Sequence, residues 1–252
     1  MLEQPPTTAG ATADFSSVLR LYRASLARCW LPSALLALLW GGVAALVSAK
    51  LGATDDLWRW LAQLQSLISS GKFWRLMVAA VALSVLMYGA LVANIYAVAV
   101  HRAVPGAAGL TVALRVFPAA LTAALAFLVF TAVGTVLFLV PGAYLWGMWQ
   151  LWVVVIVVER TGPMAALSRS WHLVSGSWWR ITTLVTLVSL VSIVPALLLD
   201  TVFGATQSAI VLPTVQGLLN MLTAPLIPAA LVAIYVERAR AGAPSVARLP
   251  NL

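Results

Sequence analysis

The stretches AVAVHRAVPGAAG (residues 97–109), VIVVERTGPMAA (155–166) and AIYVERARAGAPS (233–245) end three apolar runs in nearly the same way. Each run closes on valine, one further residue and arginine, and then continues into a short hinge of glycine, proline and alanine. After the first two hinges, a basic, half-apolar segment leads into another apolar run. A motif that recurs in this way indicates a chain built from repeated structural units. We therefore interpret the sequence as one unit written three times.

The composition identifies the class of protein to which this unit belongs. Of the 252 residues, 62% are hydrophobic and 9% are charged, and the mean hydropathy is +1.00. Soluble domains carry roughly a quarter charged residues, and a helix needs about 20 mainly apolar residues to cross a membrane. The sequence therefore predicts an integral membrane protein with six transmembrane helices, near residues 31–49, 75–100, 118–139, 142–158, 179–200 and 215–236.

The repeat groups these six spans into three pseudo-repeated hairpins, each preceded by a basic interfacial helix or elbow. The predicted fold is all-α and polytopic. Residues 1–13 are expected to form a disordered tail because they are polar and rich in proline, and they lack the basic segment of a removable signal peptide. The predicted membrane domain covers residues 14–240, with repeats at about 14–102, 109–160 and 163–238, and a short C-terminal tail covers residues 241–252.

Each predicted elbow combines an apolar helical face with basic side chains. Such a helix is expected to lie in the membrane interface, with its apolar face down and its arginines toward lipid headgroups. Asp14 is a candidate cap for the first elbow, and Pro118 is expected to open the span after the second. The elbows are residues 14–28 with Arg20, Arg23 and Arg28, residues 110–117 with Arg115, and residues 163–174 with Arg169 and His172.

The three outer connections differ from one another. In the first, Thr54 is predicted to cap an amphipathic helix that has Asp55 and Asp56 in its first turn and lies on the outer leaflet. The second is the dipeptide Pro141-Gly142, which predicts a tight turn. The third, residues 201–214, is short and uncharged. No folded domain fits outside the membrane, which excludes a fused soluble enzyme.

The distribution of basic residues predicts the orientation of the chain. With the N-terminus inside, eleven arginines fall on the inner side, against two lysines and two arginines on the outer side. Positively charged loops stay in the cytoplasm, so both termini are predicted to be cytoplasmic. The net charge of +8 is scattered over loops rather than gathered in one patch. Anionic membrane lipids are therefore the expected partners, and nucleic acid is not.

Few residues could carry chemistry. The chain has seven acids and two histidines, and His101 and His172 lie about one repeat apart, with no carboxylate or cysteine at metal-ligand spacing. No catalytic constellation, metal site or cofactor site is predicted, and the single cysteine, Cys29, is interpreted as a packing residue. The span centres contain neutral polar residues, for which hydrogen bonds between helices are favoured over substrate binding, namely Asn94, Thr131, Thr135, Gln150 and Asn220.

The segment from Pro141 to Arg180 is the densest in aromatic and charged residues. In one interpretation, Glu159 pairs with an elbow arginine such as Arg169 and fixes how the elbow docks, because an unpaired charge half out of water is costly. In the other, basic side chains with tryptophans around them bind a lipid phosphate. The candidate residues are Glu159, Arg169, Trp171, His172, Trp178, Trp179 and Arg180.

The same segment resembles the YciC-like group of bacterial inner-membrane proteins and the related membrane domain of some glycerophosphoryl diester phosphodiesterases. The shared pattern is P-G, a span, and then E-x-x-G-P-x-x-A-L-x-R-S-W-x-L-x-x-G-x-W-W-R, which Glu159 to Arg180 match here. The segment from Pro225 to Arg240 is also similar. The resemblance implies a six-span protein of a bacterial inner membrane. It implies no diesterase activity, which in those relatives belongs to a soluble barrel that is absent from this sequence.

We expect a non-catalytic scaffold or accessory subunit that contacts anionic lipid at its cytoplasmic face and has a protein partner or a second copy of itself. The alternative is a small-molecule or lipid carrier. A carrier is expected to contain a cavity between the hairpins that reaches Asn94, Gln150 or Asn220, whereas a scaffold is expected to be packed solid there.

Overall fold

A computed structural model of the protein describes residues 15–51, 56–102, 106–137, 139–203 and 211–241. Within them the chain forms helices that account for six candidate spans, which confirms the predicted all-α polytopic fold. The helices are α1 (Phe15–Leu51), α2 (Leu57–Ile68), α3 (Gly71–Ala99), α4 (Ala108–Leu137), α5 (Leu139–Met148), α6 (Trp152–Glu159), α7 (Pro163–Val174), α8 (Trp178–Phe203), α9 (Val211–Thr223) and α10 (Leu226–Ala241).

The two spans of each hairpin differ in burial. We call the first span of each hairpin, in α1, α4 and α8, the outgoing span, and the second the returning span. The share of buried residues is 18%, 17% and 17% in the outgoing spans and 39%, 56% and 44% in the returning spans. The returning spans therefore form the core of the bundle, and the outgoing spans surround it. All three hairpins share this arrangement, as expected of a repeated unit.

The core is built around α3, α6 and α10, which all contact one another. The sequence of α6, WVVVIVVE, is apolar on every side, and its residues from Val153 to Val158 are all buried. A helix that is apolar all round is stable only where neighbours cover it completely. This composition accounts for the central position of α6.

Only the third elbow is a separate helix. It forms α7, and the chain turns after it at Gly176, whose φ of +80° lies in the left-handed region that glycine adopts without strain. The first two elbows differ from the prediction because they are continuous with their spans, and Pro32 and Pro118 lie inside α1 and α4. A proline removes one backbone hydrogen bond, but it does not have to end a helix that packing supports.

The first outer connection contains the predicted amphipathic helix, α2, with a corrected start. Asp56 is the N-cap rather than a first-turn residue, and its carboxylate accepts a hydrogen bond from the Trp58 N–H at 3.0 Å. Thr54 and Asp55 lie outside the described residues. No residue of α2 is buried. Most of its apolar stripe is thus left exposed by the protein, as expected of a helix on a leaflet surface.

The second outer connection is not at Pro141-Gly142, so that prediction is wrong. Both residues lie in the first turns of α5, where the missing N–H of a proline leaves no helical hydrogen bond unmade. Gly142 instead allows close packing, since a Cβ atom there would lie 2.6 Å from the Cα atom of Thr135 on α4. The glycine serves the approach of two helices rather than a turn.

Candidate functional site

Two ion pairs lie at the end of the bundle where the three arginine-ended runs finish, one between the second and third hairpins and one within the third hairpin. The Arg169 Nε atom of α7 lies 3.3 Å from Glu159 Oε1 at the end of α6. The Arg180 guanidinium at the start of α8 lies 3.1 Å from Glu237 Oε1 and 3.4 Å from Glu237 Oε2 on α10. We call these four residues, together with Tyr235, the paired cluster.

Tyr235 ties the second and third hairpins together. Its hydroxyl on α10 donates a hydrogen bond of 3.0 Å to Glu159 Oε1, which also faces Arg169. One carboxylate oxygen therefore binds the elbow and the core of the next hairpin at the same time. The predicted contact between Glu159 and Arg169 is present, and its geometry supports the docking interpretation.

Exposure limits what these ion pairs contribute to stability. The side chains of Arg169 and Arg180 are 48% and 44% exposed, whereas those of Glu159 and Glu237 are 24% and 19% exposed. Solvent-exposed pairs contribute about 0–1 kcal/mol each, because water screens them and long side chains lose freedom. Their main effect is therefore to fix where α7 and α8 begin relative to the core.

The three candidate tryptophans pack in one aromatic cluster with Tyr144. Tyr144 of α5 meets Trp171 edge to face at a centroid distance of 5.7 Å and lies 5.5 Å from Trp178, which in turn packs at 4.5 Å against Trp179. His172 lies on the exposed side of α7. Lipid binding by these candidate residues stays a prediction.

Ser170 is a structural residue that the sequence analysis missed. The fourth span is broken between α5 and α6, and the fully buried Ser170 hydroxyl bridges the break. It donates to the Met148 carbonyl at 3.0 Å and accepts from the Leu151 N–H at 3.1 Å. The serine of the elbow thus satisfies two backbone groups that the break removes from the helical ladder, which membrane burial makes necessary.

Gln150 lies in the same break. It is 8% exposed, and neither its side-chain oxygen nor its nitrogen has a hydrogen-bond partner among the described residues. Asn94 behaves as predicted for a polar residue between helices, since its side-chain N–H donates to the Arg28 carbonyl at 3.0 Å. Thr135 bonds to the Thr131 carbonyl of its own helix.

The sixth span is broken as well. Helix α9 ends at Thr223 and α10 begins at Leu226, with Ala224 and Pro225 between them. Proline lacks the N–H that would continue the ladder, which explains a break at this point. Two of the three returning spans are therefore discontinuous helices.

A cavity of about 520 Å³, which we call the intramembrane cavity, lies beside both breaks. It is lined by the start of α6, by the residues around the α9–α10 break and by the middle of α1, α3 and α8. Most of its wall is apolar, and its polar groups are neutral. The lining residues are Leu36, Ala37, Trp40, Ser84, Val85, Tyr88, Trp152, Val153, Ser192, Asn220, Thr223, Ala224 and Ile227.

Among the described residues there is no group of three or more histidine, cysteine, aspartate or glutamate side chains that could hold a metal ion.

Comparison of the chain with models of protein families, with curated proteins and with solved structures found no match.

Proposed function

We propose that this integral membrane protein is a non-catalytic lipid-handling protein that takes an acyl chain of a membrane lipid into the intramembrane cavity. The observation that carries this proposal is the position of the cavity beside the breaks in the fourth and sixth spans. In membrane carriers, broken helices in corresponding positions of a repeated architecture border the ligand site. Irregular backbone at membrane depth is tolerated where it is buried or lines a cavity.

The chemistry of the lining supports an uncharged, mostly apolar ligand. Among the described residues, no charged side chain lines the intramembrane cavity, which disfavours an ionic substrate at this depth. A volume of about 520 Å³ falls within the range of roughly 300–1,000 Å³ that is typical of small-molecule sites. Trp40 is 43% exposed and Asn220 is also exposed, so the cavity is accessible from the surface of the bundle.

The same cavity favours a carrier over a solid scaffold, because it reaches Asn220, one of the residues that distinguishes the two hypotheses. The proposed setting is a bacterial inner membrane with both termini in the cytoplasm. Its support is the excess of inner arginines and the resemblance of Pro141 to Arg180 to the YciC-like group.

Photocrosslinking tests the proposal. The full-length protein is reconstituted in phosphatidylethanolamine vesicles that contain phosphatidylglycerol with a diazirine in the middle of one acyl chain, and crosslinked peptides are mapped by mass spectrometry. We expect labelling to concentrate on the cavity wall, at residues such as Val85 and Trp152. Ser192→Phe fills the cavity from α8 and should remove that labelling.

Leu190→Phe is the matched control, because Leu190 lies on the same helix, is 46% exposed and does not line the cavity. It should leave the labelling of the cavity wall unchanged. Labelling of the wall that is no stronger than labelling of outward-facing residues on α4 would contradict the proposal. So would equal labelling in the Ser192→Phe variant and the unmodified protein.

A further inference from the structure

A second cavity, of about 530 Å³, lies at the arginine-rich end of the bundle between α3, α4 and α6. Three arginines line it: Arg102 follows α3, Arg115 lies in the second elbow, and Arg160 follows α6. We call it the arginine cavity. The remaining lining residues are Ala93, Asn94, Tyr96, Ala97, Ala108, Gly109, Thr111, Val112 and Val157.

The charge of the arginine cavity is not balanced from within. Its lining contains three arginines and no carboxylate, and none of these arginines forms an ion pair within the described part of the chain. The nearest acid in sequence, Glu159, is already engaged by Arg169 and Tyr235. Three like charges around one space repel each other unless an anion lies among them.

The backbone turns fix the positions of Arg102 and Arg160. The chain reverses after α3 at His101 and after α6 at Arg160, which have φ values of 55° and 53°, in the left-handed region. Arg28 fixes the first reversal from α1, because its Nη1 atom donates to the Arg102 carbonyl at 3.1 Å. A site assembled on such fixed turns needs little reorganisation to receive a ligand.

The first turn of α4 adds a further positive element. Ala108 and Gly109, its first two residues, line the cavity together with Thr111. The N-terminus of a helix carries a partial positive charge and favours anions. The arginines and the helix terminus therefore face the same space.

We propose that the arginine cavity binds a phosphate group. Arginine presents a planar set of N–H donors that matches the oxygens of a phosphate, and it keeps its charge at every physiological pH. Arg115 and Arg160 are exposed, so the site is accessible from outside the bundle. The phosphate comes either from a lipid headgroup or from a free phosphate ion. This inference concerns a different cavity from the proposed function and is tested separately.

The experiment uses the full-length protein in phosphatidylcholine nanodiscs and has two arms. In the lipid arm, phosphatidic acid is added to the discs and its retention relative to phosphatidylcholine is measured by native mass spectrometry. In the ion arm, inorganic phosphate is titrated and the melting temperature is followed, with chloride at matched ionic strength as the reference. The variants are Arg115→Gln, the double variant Arg115→Gln/Arg160→Gln, and Arg23→Gln as the control.

We expect the double variant to lose about tenfold or more in affinity, since it removes two of the three guanidinium groups. Arg23 is exposed on the first elbow and does not line the cavity, so Arg23→Gln should behave as the unmodified protein. Retention of phosphatidic acid without an effect of inorganic phosphate supports a headgroup site. A response to inorganic phosphate that the double variant loses supports a site for the free ion.

Failure in both arms overturns the inference, and so does an equal loss in the Arg23→Gln control. If the double variant does not fold, the single variant Arg115→Gln is used for the test. Within the described part of the chain, the Arg115 side chain forms no hydrogen bond that this substitution could break. Ser192→Phe is expected to leave phosphate binding unchanged, and the double variant should leave acyl-chain crosslinking unchanged. The two proposals can thus fail independently.

Discussion

The second and third elbows each carry one arginine that an aromatic residue follows two positions later, in Leu114-Arg115-Val116-Phe117 and Ser168-Arg169-Ser170-Trp171. Arg169 meets the carboxylate of Glu159, whereas Arg115 shares a cavity with two other arginines. The difference lies in the run that precedes each elbow. That run ends in Val-Glu-Arg before the third elbow and in Val-His-Arg before the second.

In the first two arginine-ended runs, the residue before the arginine therefore correlates with the use of the following elbow. Where it is glutamate, the arginine is neutralised and the elbow is docked on the core. Where it is histidine, the elbow arginine forms no ion pair with the described residues, and it lines the arginine cavity. Together with the proposed phosphate site, this contrast assigns a structural role to the third elbow and a binding role to the second.

The largest expected effect comes from Ser170→Ala, which tests whether the third elbow is the structural copy. The Ser170 hydroxyl is fully buried and bonds the Met148 carbonyl and the Leu151 N–H across the break in the fourth span. Its loss leaves two buried backbone groups without a partner, and we expect a loss of about 2–3 kcal/mol in the free energy of unfolding. Reversible unfolding in mixed detergent and dodecyl sulfate measures it.

Val116→Ala is the matched substitution in the second elbow. Val116 is 8% exposed and bridges no backbone groups through its side chain, so its truncation removes apolar contacts alone. We expect a smaller loss, of about 1 kcal/mol. Equal losses in the two variants would mean that the serine acts through packing rather than through its hydrogen bonds.

Glu159→Gln is expected to have the second-largest effect. The substitution removes the charge that Arg169 faces and weakens the acceptor of the Tyr235 hydroxyl. Because Arg169 is about half exposed, we expect a loss of only about 1–2 kcal/mol in the free energy of unfolding. The same unfolding assay measures it.

A double-mutant cycle with Tyr235→Phe decides whether the carboxylate joins the two hairpins. Strictly additive losses would contradict a shared role of Glu159. Arg115→Gln is the control in the other elbow. It breaks no ion pair between described residues and relieves repulsion among the arginines, so we expect its free energy of unfolding to stay within about 0.5 kcal/mol of the unmodified protein.

The sequence predicts the parts of this arrangement that depend on local pattern. Six spans follow from hydropathy, and the contact of Glu159 with Arg169 follows from placing a carboxylate and an elbow arginine at one interface. The break in the fourth span is hidden because the residues before it and those from Leu151 to Val158 after it form one apolar run that only Gln150 interrupts there. Ser170 gives no signal of its role, since a small polar residue on an amphipathic helix is ordinary.

The arginine cavity could not be predicted because its three arginines come from different elements. Two follow the ends of α3 and α6, and the third lies in the N-terminal part of α4. Arg102, Arg115 and Arg160 are separated by 13 and 45 positions in the sequence, from 115 − 102 and 160 − 115. Only the packing of α3, α4 and α6 brings them to one space. The predicted headgroup ligands Arg169 and Arg180 instead face Glu159 and Glu237. Charge counting predicts only that these arginines lie at one end of the bundle, and three-dimensional packing decides which of them are paired with a carboxylate.

The smallest expected effect comes from His101→Glu, which introduces into the first run the charge that the other two runs carry. A carboxylate next to Arg102 lowers the positive potential of the arginine cavity, even where it forms no direct pair. We expect the affinity for the proposed phosphate group to fall about threefold, with little change in stability because His101 is exposed.

His101→Gln is the matched control, because it places an uncharged side chain of similar length on the same left-handed backbone. The measurement is phosphatidic acid retention and phosphate titration on both variants. If the affinity for phosphate falls in the His101→Glu variant alone, the charge at this position separates the two elbows. Equal falls would trace the effect to the strained backbone turn, and no fall in either variant would mean that the contrast between Val-Glu-Arg and Val-His-Arg does not govern anion binding.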